Sequence, residues 1–532
     1  MKYSSKNISY TETNCFSKIV IDYLSGNENL KTFYAFENNI NGINEAIESR
    51  KKIKVNREVL IEHFNKNYLN VASEKQQQNI SSLKKENCFT ITTAHQPNIF
   101  TGPLYVVYKI LHIIKLAETL NKDHKDYHFV PIFFMGSEDA DIDELGQINI
   151  QNNKLQWQTK QTGAVGRMFV DDHFLKLIKI IESQIAVNPF GAELIQIFSS
   201  CYSKGKTIQQ ATFELINSLF AEWGLLVLMP DDTLLKNTFK AVIKKELTEQ
   251  FSHKIVENTN TKLSAFYKTQ ASGRDINLFY LIDDKRERIV FKDDEFFIEN
   301  LNLKFTKNEL MNEVENHSER FSPNVILRPV FQETILPNIC FIGGGGELAY
   351  WLQLKNVFEA AKVFYPVLIL RNSFLIYNNQ QANKINQMNL SEADLFLSVD
   401  ELFTQLVLQQ TTNNLSIKKN IENSKKNYVD IANSVKKIDA TLENHVLAIS
   451  TKALHKLEQL EKKILRAEKR KFIHQKNQLQ HIKNQLFPNN SLQERVENFS
   501  YLYSLYRKNI LQCILNSSNS IEQKFCCITI DK

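Results

Sequence analysis

No stretch of this 532-residue chain approaches the roughly 20 consecutive apolar residues that a membrane-spanning helix needs. The N-terminal MKYSSKNISYTETN lacks the apolar core of a secretory signal. Both absences lead us to expect a cytoplasmic protein without membrane partners. Cysteine is sparse: Cys15, Cys88, Cys201, Cys340, Cys513, Cys526 and Cys527 are odd in number and show no CxxC spacing. Free thiols are therefore expected, and neither a disulfide framework nor a structural metal is. Nucleotide signatures are missing too. There is no GK[ST] ending of a P-loop, no GxGxxG, and no HIGH-type or KMSKS-type motif, although His95 opens HQPN, a faint echo of the first. From Ser373 onward glycine is absent and proline occurs once, at Pro488. That excludes a turn-rich C-terminal region and leaves an almost purely helical one.

What is present is a globular composition, 43% hydrophobic and 23% charged, in a chain long enough for about two to four domains. The net charge of +6 is uneven. Leu415 to Gln485 holds 16 Lys and Arg against 7 Asp and Glu, an excess of nine that leaves the remainder at −3. A basic helix of this kind either contacts nucleic acid or is a solvated face. The solvated reading fits better, so nucleic acid is not the expected partner.

Residues 1–85 are polar with short apolar clusters, which suggests helices packed on the domain that follows. From Cys88 apolar strands alternate with helices. Cys88–Thr93, His128–Met135, Leu225–Pro230, Val325–Leu327, Ile339–Ile342 and Val367–Leu370 read as strands, and Leu104–Leu120 and Glu347–Lys362 as helices. Continuous apolar runs such as HFVPIFFM suit strands buried on both faces of a parallel sheet. The alternation predicts an α/β doubly wound sheet over 86–375, with ligands at the strands' carboxyl ends. Segments inserted at about 147–205 and 255–322 read as antiparallel excursions. Residues 376–532 read as a helical domain. Within it Tyr428, Ile431, Val435, Ile438 and Leu442 form a heptad seam of a coiled coil spanning about 415–487. So narrow a seam needs a partner, from the same chain or a second subunit.

Two segments concentrate chemistry. ITTAHQPNIFTGPLYVVYKI puts His95, Gln96, Asn98, Thr101, Gly102 and Tyr105 on a strand-turn-helix, a shape that cradles anions. ILRPVFQETILPNICFIGGGGELAYWLQL puts Gly343, Gly344, Gly345 and Gly346 between a strand and a helix, with Arg328, Gln332, Glu333, Glu347, Tyr350 and Trp351 close by. Arg371 closes the strand FYPVLILR and suits a carboxylate or phosphate. MGSEDADIDELGQ follows the strand 128–135 and offers Glu138 or Asp139 for an ammonium group or for general-base work, beside their simpler reading as helix-capping acids. GAVGRM (163–168) and SGRDINLFYL (272–281) read as hairpins that could flap over the cleft.

Read together, these segments resemble the bacillithiol biosynthesis cysteine-adding enzyme family, cysteine ligases of low-molecular-weight thiol synthesis. The stretches that carry the resemblance are AHQPNIFTGPLYVVYK (94–109), VPIFFMGSEDADIDEL (130–145), GAVGRM, GRDINLFYL (273–281), LRPVFQETILPNICFIGGGGELAYWLQL (327–354) and FYPVLILR (364–371). The resemblance implies a Rossmann-like core with inserted connecting segments, similar to class I aminoacyl-tRNA synthetases, and a coiled coil that forms a homodimer. It implies an amide-forming reaction between cysteine and glucosaminyl-malate. ATP is then expected by fold analogy only. From the residues themselves we expect His95 and Glu138 or Asp139 to carry catalysis, and the other residues of the two loops, with Arg371, to bind substrate or nucleotide. The turn departs from the family form TGQQAGLFTGP, with Ala94-His95 for Gly-Gln and Pro97-Asn98 for Ala-Gly. The alternative is a nucleotide- or RNA-binding protein with a class I synthetase-like core and no ligase activity.

Overall fold

The structure, a computed structural model, describes residues 1–531. Five short apolar runs build the central sheet: β1 (Cys88–His95), β2 (His128–Met135), β3 (Leu226–Leu228), β4 (Asn338–Gly343) and β5 (Val367–Leu370). They align in the order β5-β4-β1-β2-β3, and every neighbouring pair is parallel. Successive strands run outward from β1 to β3, and the chain then returns to the other side of β1 to lay down β4 and β5. The switch point between β1 and β4 opens a crevice at the strands' carboxyl ends. This is the doubly wound α/β sheet that the alternation predicts.

The helix after β1, α1 (Leu104–Asp123), follows Pro103 and buries Val107, Ile110, Leu111 and Ile114 completely. Before β4 comes α2 (Arg328–Ile335), and after it α3 (Gly345–Trp351). The insertion at 278–323 is an antiparallel sheet in the order 303–305, 295–298, 285–292, 278–282, 321–323. A small hairpin, 147–150 with 153–156, precedes the helices of the other insertion.

Several expectations need correction. Val325–Leu327 is a turn, not a strand. Asn324 accepts from Ile326 N through its side chain and from Arg328 N through its carbonyl, and Pro329 opens α2. The helix expected over Glu347–Lys362 is two, α3 and Lys355–Ala361, broken where Gln353 turns its amide to accept from Gln270 N and Ala271 N. GAVGRM is a 3-10 turn at Val165–Arg167, not a hairpin, whereas Leu278–Ile282 does open one. The N-terminal segment begins with a strand, Lys2–Ile8, and the region read as purely helical contains Ser373–Asn378 and Phe525–Asp531. These three form one sheet, with 525–531 in the middle, antiparallel to 2–8 and parallel to 373–378. Both ends of the chain thereby close on the first compact unit.

That unit comprises Met1–Asn379 and the chain from Ser491, and Gln380–Asn490 forms a second. In the second unit Lys418–Lys436 and Ala440–Lys471 make a helical hairpin. The heptad seam therefore does not run along one helix. It crosses the turn at Asp439, whose side chain caps the second helix, and leaves Ile438 82% exposed. No helix among the described residues is long and apolar enough to cross a membrane.

One buried histidine ties the first unit together. His112 on α1 donates from Nε2 to Ser520 O at 2.9 Å and accepts at Nδ1 from Asn372 N at 3.1 Å. Burial lowers its pKa from 6.5 to about 4, so it is neutral in the folded protein. The unfolded chain binds this proton at a higher pH than the folded one. The contribution is thus complete above about pH 6.5 and is lost as pH falls toward 4, a difference of about 3 kcal/mol. Denaturation series across this window should show stability falling with pH, and H112Q should flatten that slope.

Candidate active site

The parallel register sets the carboxyl ends of β1, β2 and β4 side by side. His95 is the last residue of β1 and pairs with Met135, the last of β2. Gly136 N donates to His95 O at 2.8 Å and continues this pairing into the loops. Beyond β1 the chain turns through Phe100, Thr101 and Gly102, all at positive φ of 49°, 69° and 67°. Asn498 latches this turn by donating to Phe100 O at 2.8 Å and Gly102 O at 2.5 Å. Beyond β2 the 163–168 turn clamps the acidic loop, with Val165 N donating to Asp139 O (2.7 Å) and Gly166 N to Ser137 O (2.9 Å). A Cβ on Gly166 would lie 2.5 Å from Ser137 O, so only glycine allows this approach. Arg167 locks the same turn with two bonds to Asp231, at 2.7 and 2.8 Å.

These ends enclose a cavity of about 340 Å³. Its lining includes His95, Gln96, Tyr105, Glu138, Asp139, Arg328, Gly344, Gly345, Gly346, Glu347, Tyr350 and Arg371. The two loops singled out in the sequence, 250 residues apart, share one rim. Seven expected residues stay outside it. Asn98, Thr101 and Gly102 shape the latched turn, and Gly343 is the last residue of β4. Gln332 and Glu333 are buried beneath the cavity, and Trp351 is a core residue stacked between Phe341 and Phe358.

Four lining residues that the sequence reading passed over complete the site: Lys109, Arg286, Asn324 and Arg495. Lys109 had a signal, a lone cation in the apolar stretch LYVVYKILHII. Arg286 had none, because KRERIVFK reads as an exposed strand. The antiparallel sheet contributes Pro323 as well, so an insertion forms one wall.

Five cations and three carboxylates line the cavity, and they differ in commitment. Lys109 donates to Ala94 O at 2.9 Å and pairs with Glu347, which also accepts from Gly344 N at 2.8 Å. Arg371 is held by Glu494 at 2.6 Å. Glu138 is not free to receive a substrate amine. It pairs with Lys236, which is fully buried, and accepts from Ser322 Oγ at 2.9 Å. Asp139 is the available carboxylate. Its Oδ2 accepts from Gln96 Nε2 at 3.1 Å and its Oδ1 from Ala140 N at 2.7 Å. Among the described residues no carboxylate forms an ion pair with Arg286, Arg328 or Arg495. Arg286 donates to Ser322 Oγ (3.0 Å) and Pro323 O (3.3 Å). Arg328 donates to Gln332 Oε1 (3.2 Å) and Tyr350 OH (2.9 Å).

Burial first, and the surrounding charges second, shape the titrating groups. Burial, then the charges of Lys109, Arg371 and Arg328, hold His95 well below the usual histidine range, so its ring is neutral. Its Nε2 lies 3.5 Å from Tyr105 OH. Burial also lowers Lys109, against the pull of Glu347, and raises Glu333 to about 7. Gly346 adds open space, since nothing lies within 4 Å of where its Cβ would be. Uncommitted guanidinium groups, open backbone and a free carboxylate together suit an anionic substrate and a reaction that removes a proton.

Removing Lys236 would strand the buried carboxylate of Glu138. K236M should lower unfolding free energy by about 3–5 kcal/mol, and adding E138Q should recover much of the loss. Chemical denaturation of the two variants measures both effects, and an undiminished K236M would contradict the pairing.

Comparison with known proteins agrees along the whole chain. Residues 1–372 match the family described as bacillithiol biosynthesis BshC, N-terminal Rossmann-like domain, and residues 374–530 match its C-terminal coiled-coil domain. Relatives carrying the name "Putative cysteine ligase BshC" include one from Flavobacterium johnsoniae, 37% identical over 98% of this chain and 99% of its own. Others come from Christiangramia forsetii, 36% identical over 99% of both, and Cytophaga hutchinsonii, 38% identical over 94% of both.

Proposed function

This chain belongs to the bacillithiol biosynthesis BshC family, and on that premise we propose that its cavity joins cysteine to glucosaminyl-malate through an amide bond. It is a ligase of bacillithiol biosynthesis, and the substrates are our assignment. The observation that carries this assignment is the sharing of one cavity by ion-pair-free Arg286 and Arg328 with Asp139.

The malate part of the acceptor brings two carboxylates, and Arg286 and Arg328 hold them with charge-assisted bonds. The sugar nitrogen attacks the cysteine carboxyl carbon, the C–N bond forms, and the activated carboxyl oxygen leaves. The nitrogen must lose a proton in this step, and Asp139 accepts it. Neutral His95 keeps a ring nitrogen able to accept a hydrogen bond beside the reacting groups. Glu138, committed to Lys236, positions the loop that carries Asp139.

ATP, when bound, supplies activation of the cysteine carboxyl group. The open backbone at Gly346 and the exposed Arg495, both lining the cavity, fit its phosphates, and this assignment rests on analogy with class I synthetases. We further propose a cytoplasmic homodimer formed through the helical hairpin, whose Ile431, Leu442, Leu447 and Ile449 are exposed.

The test incubates the purified protein with cysteine, glucosaminyl-malate and ATP and follows thiols by liquid chromatography. Bacillithiol should form. D139N should lower kcat at least about a hundredfold, and R328A should raise KM for glucosaminyl-malate about tenfold with a smaller change in kcat. Cells lacking the protein should accumulate glucosaminyl-malate. A D139N enzyme working at the full rate would overturn the role of Asp139.

A further inference from the structure

Glu333 lies outside the cavity, 1% exposed, with no ion-pair partner among the described side chains. Burying a carboxylate in this way is costly, so its place needs a reason. Its Oε1 accepts from Gln332 Nε2 and from Asn338 Nδ2, both at 2.8 Å. Gln332 Oε1 in turn accepts from Arg328 Nη1 at 3.2 Å. Asn338 Oδ1 accepts from the hydroxyls of Thr90 (3.3 Å) and Thr92 (3.0 Å) on β1. Arg50, also buried, gives its guanidinium to Leu336 O at 2.6 Å and lies nearby without binding the Glu333 side chain.

We infer that Glu333 is a positioning residue that aims Arg328 into the cavity by fixing which end of the Gln332 amide faces it. A primary amide has a donor end and an acceptor end, and sterically the two are almost interchangeable. Guanidinium only donates. If Gln332 turned its NH2 toward Arg328, two donors would oppose each other and the arginine would lose its anchor. Glu333 Oε1 accepts from two amides at once, so a proton taken up by the buried carboxyl sits on Oε2 and Oε1 remains an acceptor. Glu333 thereby draws the NH2 of Gln332 to itself and leaves the Gln332 Oε1 for Arg328. The same rule orients Asn338 toward Thr90 and Thr92 and so ties the base of α2 to β1. Tyr350 OH, 2.9 Å from Nη2, fixes the other side of the guanidinium. Of the five N–H donors of Arg328, two are then used internally and three remain for a ligand.

The inference rests on the proposed substrate only for its kinetic readout. E333L, Q332L, R328A and the double variant E333L/R328A are assayed for KM and kcat with glucosaminyl-malate. E333L and Q332L should each raise KM about tenfold while kcat changes less than threefold. E333L should add nothing once R328A is present. E333Q keeps an acceptor at Oε1 and should recover most of the loss. If E333L does not fold, Q332L carries the same expectation and keeps Glu333 bound to Asn338. Crystal structures of Q332L and E333Q read the guanidinium directly. A displaced Arg328 in Q332L without any turnover of glucosaminyl-malate by the parent enzyme upholds the relay and overturns the substrate. An undisplaced Arg328 in Q332L, or additive KM effects in E333L/R328A, overturns the relay.

Discussion

The parallel pairing of β1 with β2 on one side and β4 on the other is the constraint on which the rest depends. Parallel strands all end at the same edge of the sheet. His95, Gly136 and Gly344 therefore meet there, although they come from three distant parts of the chain. Reversing any one strand would send its loop to the opposite edge. The apolar runs of β1, β2 and β4 enforce the arrangement because they can be buried only between neighbours on both sides. The Asn338 bridge to Thr90 and Thr92 adds a polar contact to the junction of β4 with β1.

The chemistry at this edge follows from how charge is divided. Some ions are spent on structure: Lys236 with Glu138, Lys109 with Glu347, and Arg371 with Glu494. Each joins different elements, and each is at least partly buried, where loss of one partner costs far more than at the surface. What they leave is a set of arginines with no carboxylate partner, facing the same space as Asp139. Burial, and then the local positive field, hold His95 neutral, and the field favours an anionic ligand. One fold thus supplies fixed pairs that build the loops and ions without an ion-pair partner that line the cavity.

Much of this was legible in the chain. The strands at Cys88, His128, Ile339 and Val367 were visible because a parallel sheet writes continuous apolar runs. The cradle after His95 and the glycine run were visible because turns of unusual geometry need unusual residues. The family followed from the order of those segments. Commitment of side chains was not legible. Glu138 and Asp139 are neighbours in sequence, yet one is bound to Lys236, nearly a hundred residues away, and the other faces the cavity. Arg286 was hidden in a strand whose pattern says only that it is exposed. The strands 2–8, 373–378 and 525–531 were missed because they form a sheet across the full length of the chain, and KYSSKNI carries no periodicity to announce it. The heptad at 428–442 misled because local spacing does not register that the chain turns at Asp439.

The central claim is that the crevice between β1 and β4 binds the acceptor through arginines left unpaired by the fold. A crystal structure with glucosaminyl-malate bound tests it most directly. The account predicts both malate carboxylates against Arg286 and Arg328, with the sugar nitrogen toward Asp139. Ligand bound elsewhere on the protein, with these arginines untouched, would contradict it.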